Sequence, residues 1–208
     1  MPALYNAIQG RSVERLAALS DGIFAVAMTL LVLDIHIPAA EGIHSELGLL
    51  HALSTLGPQC LAYVMSFLTL GIFWAGQQTQ LNHFAEGSRD LSWIHLGFLF
   101  TITLMPLTTR LLAEFIQYRA ALVIYWLNIL LPGVMLFWSW SYALRHKLVK
   151  EDADVEIRGA ICRRVVIAQS LYAFGTLLCV INNYVSIAFI VLVQLNYAIA
   201  PRIGRKLG

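Results

Sequence analysis

Long apolar runs alternate with short polar connections along the chain, and each run has the length of a membrane helix. One bilayer crossing takes about 20 predominantly apolar residues. The pattern predicts six helices, over residues 16–37, 58–81, 91–113, 120–145, 161–181 and 184–200, the last at the lower limit for spanning. We therefore expect an all-α integral membrane protein with six transmembrane helices, forming a single six-span domain over residues 1–208.

Prolines mark where these helices are expected to stop or bend. Pro38 is expected to end the first helix, because the residue before a proline disfavours helical geometry. Pro106 and Pro132 lie inside apolar runs, where neighbouring helices can satisfy the freed backbone groups, so we expect kinks there. Residues 38–56 are expected to form an outer connection.

Composition agrees with the apolar pattern, since 59% of the residues are hydrophobic and only 12% are charged. Soluble domains carry about 25% charged residues. The net charge of +2 gives no reason to expect a nucleic acid partner. The three cysteines have no paired spacing, so neither a disulfide framework nor a metal site is indicated, and no cofactor is expected.

The basic residues are distributed unevenly between the two faces of the predicted membrane domain. Only Arg110 and Arg119 fall on one face, whereas the other face holds Arg11, Arg15, Arg89, Arg145, Lys147, Lys150, Arg158, Arg163, Arg164, Arg202, Arg205 and Lys206. Cytoplasmic connections are enriched in Lys and Arg. We therefore expect both termini to be cytoplasmic.

The first helix carries the least expected polar residues, within RLAALSDGIFAVAMTLLVLDI. Ser20 or Asp21 could simply cap the helix, as these residue types favour. Alternatively, Arg15, Ser20 and Asp21 form a polar cluster with Trp74 and Gln77 of the second helix, because polar groups at membrane depth need protein partners. Since six residues separate Arg15 from Asp21, they do not share a helix face, and Asp21 would then pair with another helix.

An apolar stripe also runs along the first helix. Val26, Leu30 and Leu33 follow an i, i+4, i+7 spacing, which places them on one face. Spacing alone does not separate a packing stripe from a pore-lining stripe. Thr29 lies beside Leu30, and membrane threonines commonly bond back to the preceding turn or across to a neighbouring helix.

Signatures of enzymes and metal sites are lacking in the sequence. It has no GxSxG, HExxH or P-loop motif and no carboxylate pair at a useful spacing, so we do not expect an enzyme. His36, His44 and His51 fall in or near the outer connection, but a metal site would require them to converge.

The stretch RLAALSDGIFAVAMTLLVLDI of the first helix, residues 15–35, resembles the signature of the transmembrane protein 175 family of potassium channels. In that family an Arg is followed after three residues by Phe-Ser-Asp, and then by a helix reading A-I-A-[IM]-T-L-L-V-L-[DE]-I. This chain has Arg15, Leu19-Ser20-Asp21 and a close match over Ala25–Ile35. Leu19 replaces the family's Phe. Gln77-Gln78 replace a common His-His pair, so a pH response that depends on that pair is left open.

The resemblance implies a homotetramer in the plasma membrane of a prokaryote, with helix 1 of each subunit lining a central pore. It assigns the constriction to rings of Val26, Leu30 and Leu33, with Thr29 beside them, in place of a backbone-carbonyl filter. Asp34 would form an acidic ring at the pore mouth. The partners are then potassium ions and membrane lipid, and the expected function is a potassium-preferring channel.

Two other classes of function are consistent with the sequence. The first is a secondary or proton-coupled transporter in which Asp21 titrates, because an ionisable residue in a membrane helix is a functional candidate. The second is a membrane enzyme or a structural membrane subunit. A channel differs from a transporter in passing current without a coupling ion, and an enzyme would need a convergent catalytic set that the sequence does not show.

Overall fold

The computed structural model describes residues 12–39, 43–150 and 155–199. The regular structure in these ranges is helical, apart from an isolated β-bridge between Phe84 and Val149. In chain order the helices are α1 Val13–Leu33, α2 Glu46–Ser54, α3 Gly57–His83, α4 Arg89–Thr103, α5 Met105–Glu114, α6 Arg119–Arg145, α7 Val155–Leu177, a 3-10 turn Leu178–Val180, and α8 Asn183–Ile199. Residues 1–11 and 200–208, which include Arg11, Arg202, Arg205 and Lys206, lie outside the described residues.

Five stretches of the described chain are long and apolar enough to cross a membrane, whereas the sequence predicted six. These stretches are Val13–Leu33, Gly57–His83, Arg89–Glu114, Arg119–Arg145 and Ile157–Val180. The sixth predicted span corresponds to α8, an apolar helix of 17 residues. At about 1.5 Å per residue it extends for roughly 25 Å, which is less than the ~30 Å hydrocarbon core. The described residues therefore contain five candidate spans and not the six that the sequence predicted.

The helix boundaries also differ from the prediction. Helix α1 ends at Leu33, several residues before Pro38. The predicted outer connection contains α2, a nine-residue helix with no buried residue. The third predicted helix is broken at Leu104, because Pro106 occupies the start of the new helix α5, where a missing N–H has no cost.

The core lies where α3 packs against α1, α5 and α8, and where α4 packs against α6. Phe98 of α4 contacts Phe24 of α1 and Phe73 of α3, with ring centroids 6.0 and 6.5 Å apart. All three side chains are buried. This aromatic contact fixes α1 against α3 and α4.

A buried polar network joins α3, α5, α6 and α8 inside this core. The Gln194 amide donates to Thr69 Oγ1 at 2.7 Å, and Thr109 donates to Ser66 Oγ at 2.6 Å. The Ser66 hydroxyl in turn donates to Tyr125 OH at 3.2 Å. Because these hydroxyls satisfy one another within the protein, the helices can pack around polar residues at membrane depth.

Helix α6 runs without interruption through Pro132, and a side chain of α7 packs against it there. Pro132 has no N–H to donate to the carbonyl of Asn128, four residues earlier. Gln169 Nε2 donates to the next carbonyl, that of Ile129, at 3.3 Å. This approach needs the glycine at 133, since a Cβ there would overlap the Gln169 amide. The pair therefore holds α7 close to α6 at that level.

Candidate pore-lining surface and its polar support

Helix α1 has one face buried in its own protomer and one face left uncovered. The buried face carries Ser20, Phe24, Ala27 and Leu31, spaced three to four residues apart as a single helix face requires. It packs against α3, α4 and α5. The remaining faces of α1 are therefore available to lipid, to water or to another copy of the chain.

The predicted stripe lies on the uncovered side. Val26, Leu30 and Leu33 are 57%, 44% and 72% exposed, and at about 100° per residue they fall within roughly 60° of one another. Packing inside the protomer, one of the two interpretations of the stripe, therefore does not account for it.

A groove of about 420 Å³ runs along this uncovered side, between α1 and the break that separates α4 from α5. Val26 and Leu30 line it together with Leu19, Thr103 and Pro106. Its lining is almost entirely apolar, so it can accommodate a helix or lipid. Leu33 is not among the described residues that line the groove.

The hydroxyl of Thr29 bonds back to its own helix. Thr29 Oγ1 donates to the carbonyls of Ala25 and Val26, both at 2.9 Å, although the side chain is exposed. The hydroxyl hydrogen is thus used locally, and only the oxygen lone pairs remain for a passing cation.

Ser20 lies in a buried cluster formed by three helices. Gln77 Nε2 of α3 is 2.6 Å from Ser20 Oγ and 2.6 Å from His95 Nε2 of α4, and Ser20 Oγ is 2.8 Å from His95 Nε2. The Ser20 hydroxyl also donates to the Leu16 carbonyl at 2.7 Å. All three side chains are almost completely buried. They therefore fix the position of α1 relative to α3 and α4.

The proton positions in this cluster depend on the tautomer of His95. Gln77 Nε2 donates to Ser20 Oγ. His95 Nε2 faces both Ser20 Oγ and Gln77 Nε2, and which atom donates in these two contacts follows from the side of the imidazole that carries the proton. Gln77 Oε1 is buried with no partner among the described residues.

Asp21 is held separately, at the edge of the uncovered face. Its Oδ1 accepts from Trp74 Nε1 and from Gln78 Nε2, both at 2.8 Å. Both donors are uncharged, and Asp21 itself is exposed. The Asp21 carboxylate therefore remains accessible from the side of α1 that its own protomer leaves open.

Arg15 is not part of either polar group, contrary to the predicted cluster. Its side chain is exposed and has no hydrogen bond or ion pair with the described residues. Only its backbone N–H is engaged, donating to Ser12 Oγ at 3.2 Å. The reason is geometric, since α1 begins at Val13 with Ser12 as its N-cap. Ser20 and Asp21 thus lie in the second and third turns of the helix, which also removes the capping interpretation.

Asp34 lies at the C-terminal end of α1. It is the C-cap residue and is half-buried. A carboxylate there opposes the helix dipole, which favours cations at a C-terminus. Arg110 of α5 interacts with it electrostatically, and Arg110 itself pairs with Glu114 at 2.9 Å. Any acidic ring formed by Asp34 would therefore lie near the Arg110–Glu114 pair, whose two charges balance each other.

His95 is the functional candidate that the sequence analysis overlooked. A signal was present, because His95 is an ionisable residue inside the apolar run LSWIHLGFLF, and such residues in membrane helices normally have a protein partner. His36, His44 and His51 do not converge in the described chain, where no three His, Cys, Asp or Glu side chains come together as metal ligands.

The family comparison covers the helices that build this surface. The model of the family described as "Endosomal/lysosomal potassium channel TMEM175" matches residues 15–106, which include most of α1 and all of α3 and α4. This match supports membership of the chain in the TMEM175 family. It agrees with the resemblance drawn from residues 15–35 of the sequence.

Relatives of the chain within the TMEM175 family carry two kinds of name. A potassium channel of Streptomyces collinus is 41% identical over 103 residues, covering 50% of this chain and 48% of the relative. A potassium channel of Chamaesiphon minutus is 28% identical over 189 residues, covering 89% and 93%. The endosomal/lysosomal proton channel TMEM175 of Gallus gallus is 30% identical over 145 residues, covering 65% and 29%. The match thus spans about half of the Streptomyces relative and less than a third of the Gallus relative.

A solved structure shares the fold over nearly the whole chain. It is the crystal structure of a lysosomal potassium-selective channel TMEM175 homologue from Chamaesiphon minutus, with a TM-score of 0.77 and 26% identity. The match covers 90% of this chain and 97% of that one. The chain is thus a multi-pass membrane protein with the helical fold of this family.

Proposed function

We propose that the chain is a subunit of a potassium-preferring cation channel, in which side chains of α1 form the constriction. The observation that carries this proposal is the uncovered face of α1. Its apolar side chains Val26, Leu30 and Leu33 point out of the protomer, while the opposite face is buried and held by the Ser20 cluster. The names of the bacterial relatives support the choice of potassium as the permeant ion.

Lining an ion path with this face requires several copies of the chain. Closed rings of identical subunits place the same face of each copy at the symmetry axis. We propose a homotetramer, as the family resemblance implies, with four α1 helices innermost. The accessible carboxylate of Asp21 supports an assembly, because a charged group on a membrane helix normally faces protein or a water-filled path rather than lipid.

The proposed selectivity follows from the apolar rings. An apolar constriction gates by dewetting and makes an ion shed part of its water. K⁺ holds its water less tightly than Na⁺, so partial dehydration favours K⁺. Leu30 would form the middle ring and Leu33 the outer one, with the Thr29 oxygen as a weak polar contact beside them. Since no full cage of ligands replaces the lost water, the preference should be modest.

Asp34 would gather cations at the outer mouth of this pore. Four carboxylates around an axis raise the local cation concentration. Salt screens that field, so the contribution of Asp34 to conductance should be largest at low ionic strength.

We place the channel in the plasma membrane with both termini cytoplasmic, as a single membrane domain. The excess of Lys and Arg near the C-terminal ends of α3 and α6 and near the N-terminal end of α7 supports this orientation. It requires α8 to carry the chain back across the membrane. Its 17 residues allow this where the bilayer is locally thinned or the flanking residues extend to the interface.

The direct test is electrical recording from the purified protein in planar bilayers with different K⁺ and Na⁺ solutions on the two sides. The proposal predicts current without any proton gradient. It also predicts a reversal potential that is shifted from zero toward the equilibrium potential of K⁺. No current under a K⁺ gradient alone, or a reversal potential at zero, would exclude a potassium-preferring channel.

The alternative is proton transport through Asp21, and one observation favours keeping it. The vertebrate relatives are named proton channels, and Asp21 is an accessible carboxylate held only by the uncharged donors Trp74 and Gln78. In that case Asp21→Asn would abolish transport while leaving the protein folded. If the channel proposal holds, Asp21→Asn keeps potassium current in the absence of a pH gradient.

A further inference from the structure

A second surface feature lies on the side of α3 away from α1. A crevice of about 240 Å³ opens between α3, α6, α7 and α8. Its lining is mainly hydrophobic, with contributions from Ile72, Phe73, Leu136, Ile161, Val165 and Tyr197. Because the crevice lies between membrane helices and is open to the outside, hydrocarbon from the bilayer can enter it.

The crevice belongs to the half of the membrane domain that bears the basic residues. Gln80, near the end of α3 at His83, and Ile157, near the start of α7, both line it. The connection between α6 and α7 at this end is rich in Lys and Arg. In the proposed orientation the crevice therefore opens into the cytoplasmic leaflet.

Arg164 is the one charged side chain that lines this crevice in the described chain. It is exposed, and it has no acidic partner among the described residues. The ion pair found in the described chain joins Arg110 to Glu114, at the other end of the bundle. The Tyr197 side chain lies close enough to interact with it electrostatically. An arginine near a membrane boundary extends its head toward the headgroups while its stem covers apolar surface.

We propose that the crevice binds an anionic phospholipid of the cytoplasmic leaflet, with an acyl chain against α3 and α7 and the phosphate on Arg164. Guanidinium groups pair with phosphate through two parallel hydrogen bonds, and basic pockets between membrane helices on the cytoplasmic side suit anionic headgroups. The Tyr197 hydroxyl would serve as a second polar contact for the headgroup.

Such a lipid would contact the helix that supports the pore-lining surface. Phe73 and Gly76 line the crevice, and the neighbouring residues Trp74 and Gln77 bind Asp21 and Ser20 of α1. A lipid against α3 would therefore stabilise the helix that positions α1. The binding step depends on the proposed orientation in the membrane and not on which ion the protein conducts.

The adjacent arginines of α7 provide a matched pair of variants for a binding test. Arg163 and Arg164 are both exposed, but only Arg164 lines the crevice. Purified protein would be mixed with phosphatidylglycerol or phosphatidylcholine, and retained lipid measured by native mass spectrometry. We expect preferential retention of phosphatidylglycerol, about five-fold weaker in Arg164→Gln and unchanged in Arg163→Gln.

A second variant tests the acyl-chain part of the site. Ala168 lines the crevice, so Ala168→Phe should occupy its volume and reduce retention of phosphatidylglycerol with Arg164 still present. Equal losses in Arg163→Gln and Arg164→Gln, or equal retention of the two lipids by the wild type, would refute the site. A wild-type thermal transition is required for each variant, and since no ion flux is measured, failure here is distinct from failure of the channel proposal.

Discussion

The hydrogen bond between Ser20 and Gln77 should couple α1 to α3 energetically. The perturbation is a double-mutant cycle with Ser20→Ala, Gln77→Leu and the combination. Ser20→Ala removes the acceptor of the Gln77 amide, and Gln77→Leu removes the amide that contacts both Ser20 and His95 at nearly the same volume.

The expected magnitude follows from the number of interhelical contacts and their burial. Hydrogen bonds between membrane helices contribute about 0.6 kcal/mol on average, with a maximum of about 1.7. The Ser20–Gln77 distance of 2.6 Å and the nearly complete burial of both groups place this pair in the upper part of that range. We expect a coupling energy of about 1 kcal/mol. Gln77→Leu alone should cost more than Ser20→Ala, since it also removes the polar partner of His95 Nε2 on α3.

The assay is unfolding in detergent micelles, followed by the loss of helical signal. Thr79 provides the control, because it lies on the same helix α3 but its hydroxyl bonds only to the Ala75 carbonyl of its own helix. A cycle between Ser20→Ala and Thr79→Val should give a coupling energy near zero. If the Ser20–Gln77 cycle gives the same value as this control, the cluster does not hold α1 in place.

Further substitutions test two other contacts between helices, one at Asp21 and one at Gly133. Asp21→Asn should unfold at nearly the same temperature as the wild type, because an amide oxygen can still accept from both donors of α3. Asp21→Leu should lower the stability by only about 1 kcal/mol, because both hydrogen bonds are exposed and the donors that lose their acceptor can bond to water. Gly133→Ala should be less stable than Gly76→Ala by about 1 kcal/mol, because the new methyl group displaces the Gln169 amide and breaks its hydrogen bond to Ile129. Gly76→Ala is its control, since the nearest atom would lie at 3.8 Å, and equal melting temperatures for the two glycine variants would contradict the close approach.

The sequence was informative wherever one helix face or one pair of helices decides the contact. The i, i+4, i+7 spacing of Val26, Leu30 and Leu33 identified a single face, and the need to satisfy Ser20 and Asp21 pointed to Trp74 and Gln77, which the structure places within hydrogen-bonding distance. Both inferences use local periodicity and the high cost of unpaired polar groups in a membrane.

The features that the sequence did not reveal depend on where helices begin and on contacts between distant residues. Arg15 was grouped with Asp21 because the N-cap at Ser12 was not recognised, and the true start moves Arg15 into the first turn. His95 lies 75 residues after Ser20, and nothing local indicates which helix it faces. The number of subunits depends on contacts between copies of the chain, which neither the helix boundaries nor the contacts within one copy define.

The central proposal, that Leu30 forms a ring in the ion path, is tested most directly by bi-ionic recordings from Leu30→Asn. The control is Leu131→Asn, which makes the same change on α6 at a leucine that is 45% exposed, compared with 44% for Leu30. Polar ligands at the constriction should hydrate it, so we predict larger currents and a reversal potential closer to zero for Leu30→Asn, with wild-type values for Leu131→Asn. A wild-type reversal potential in Leu30→Asn, together with reduced protein yield, would contradict the account and assign the stripe to contacts between helices.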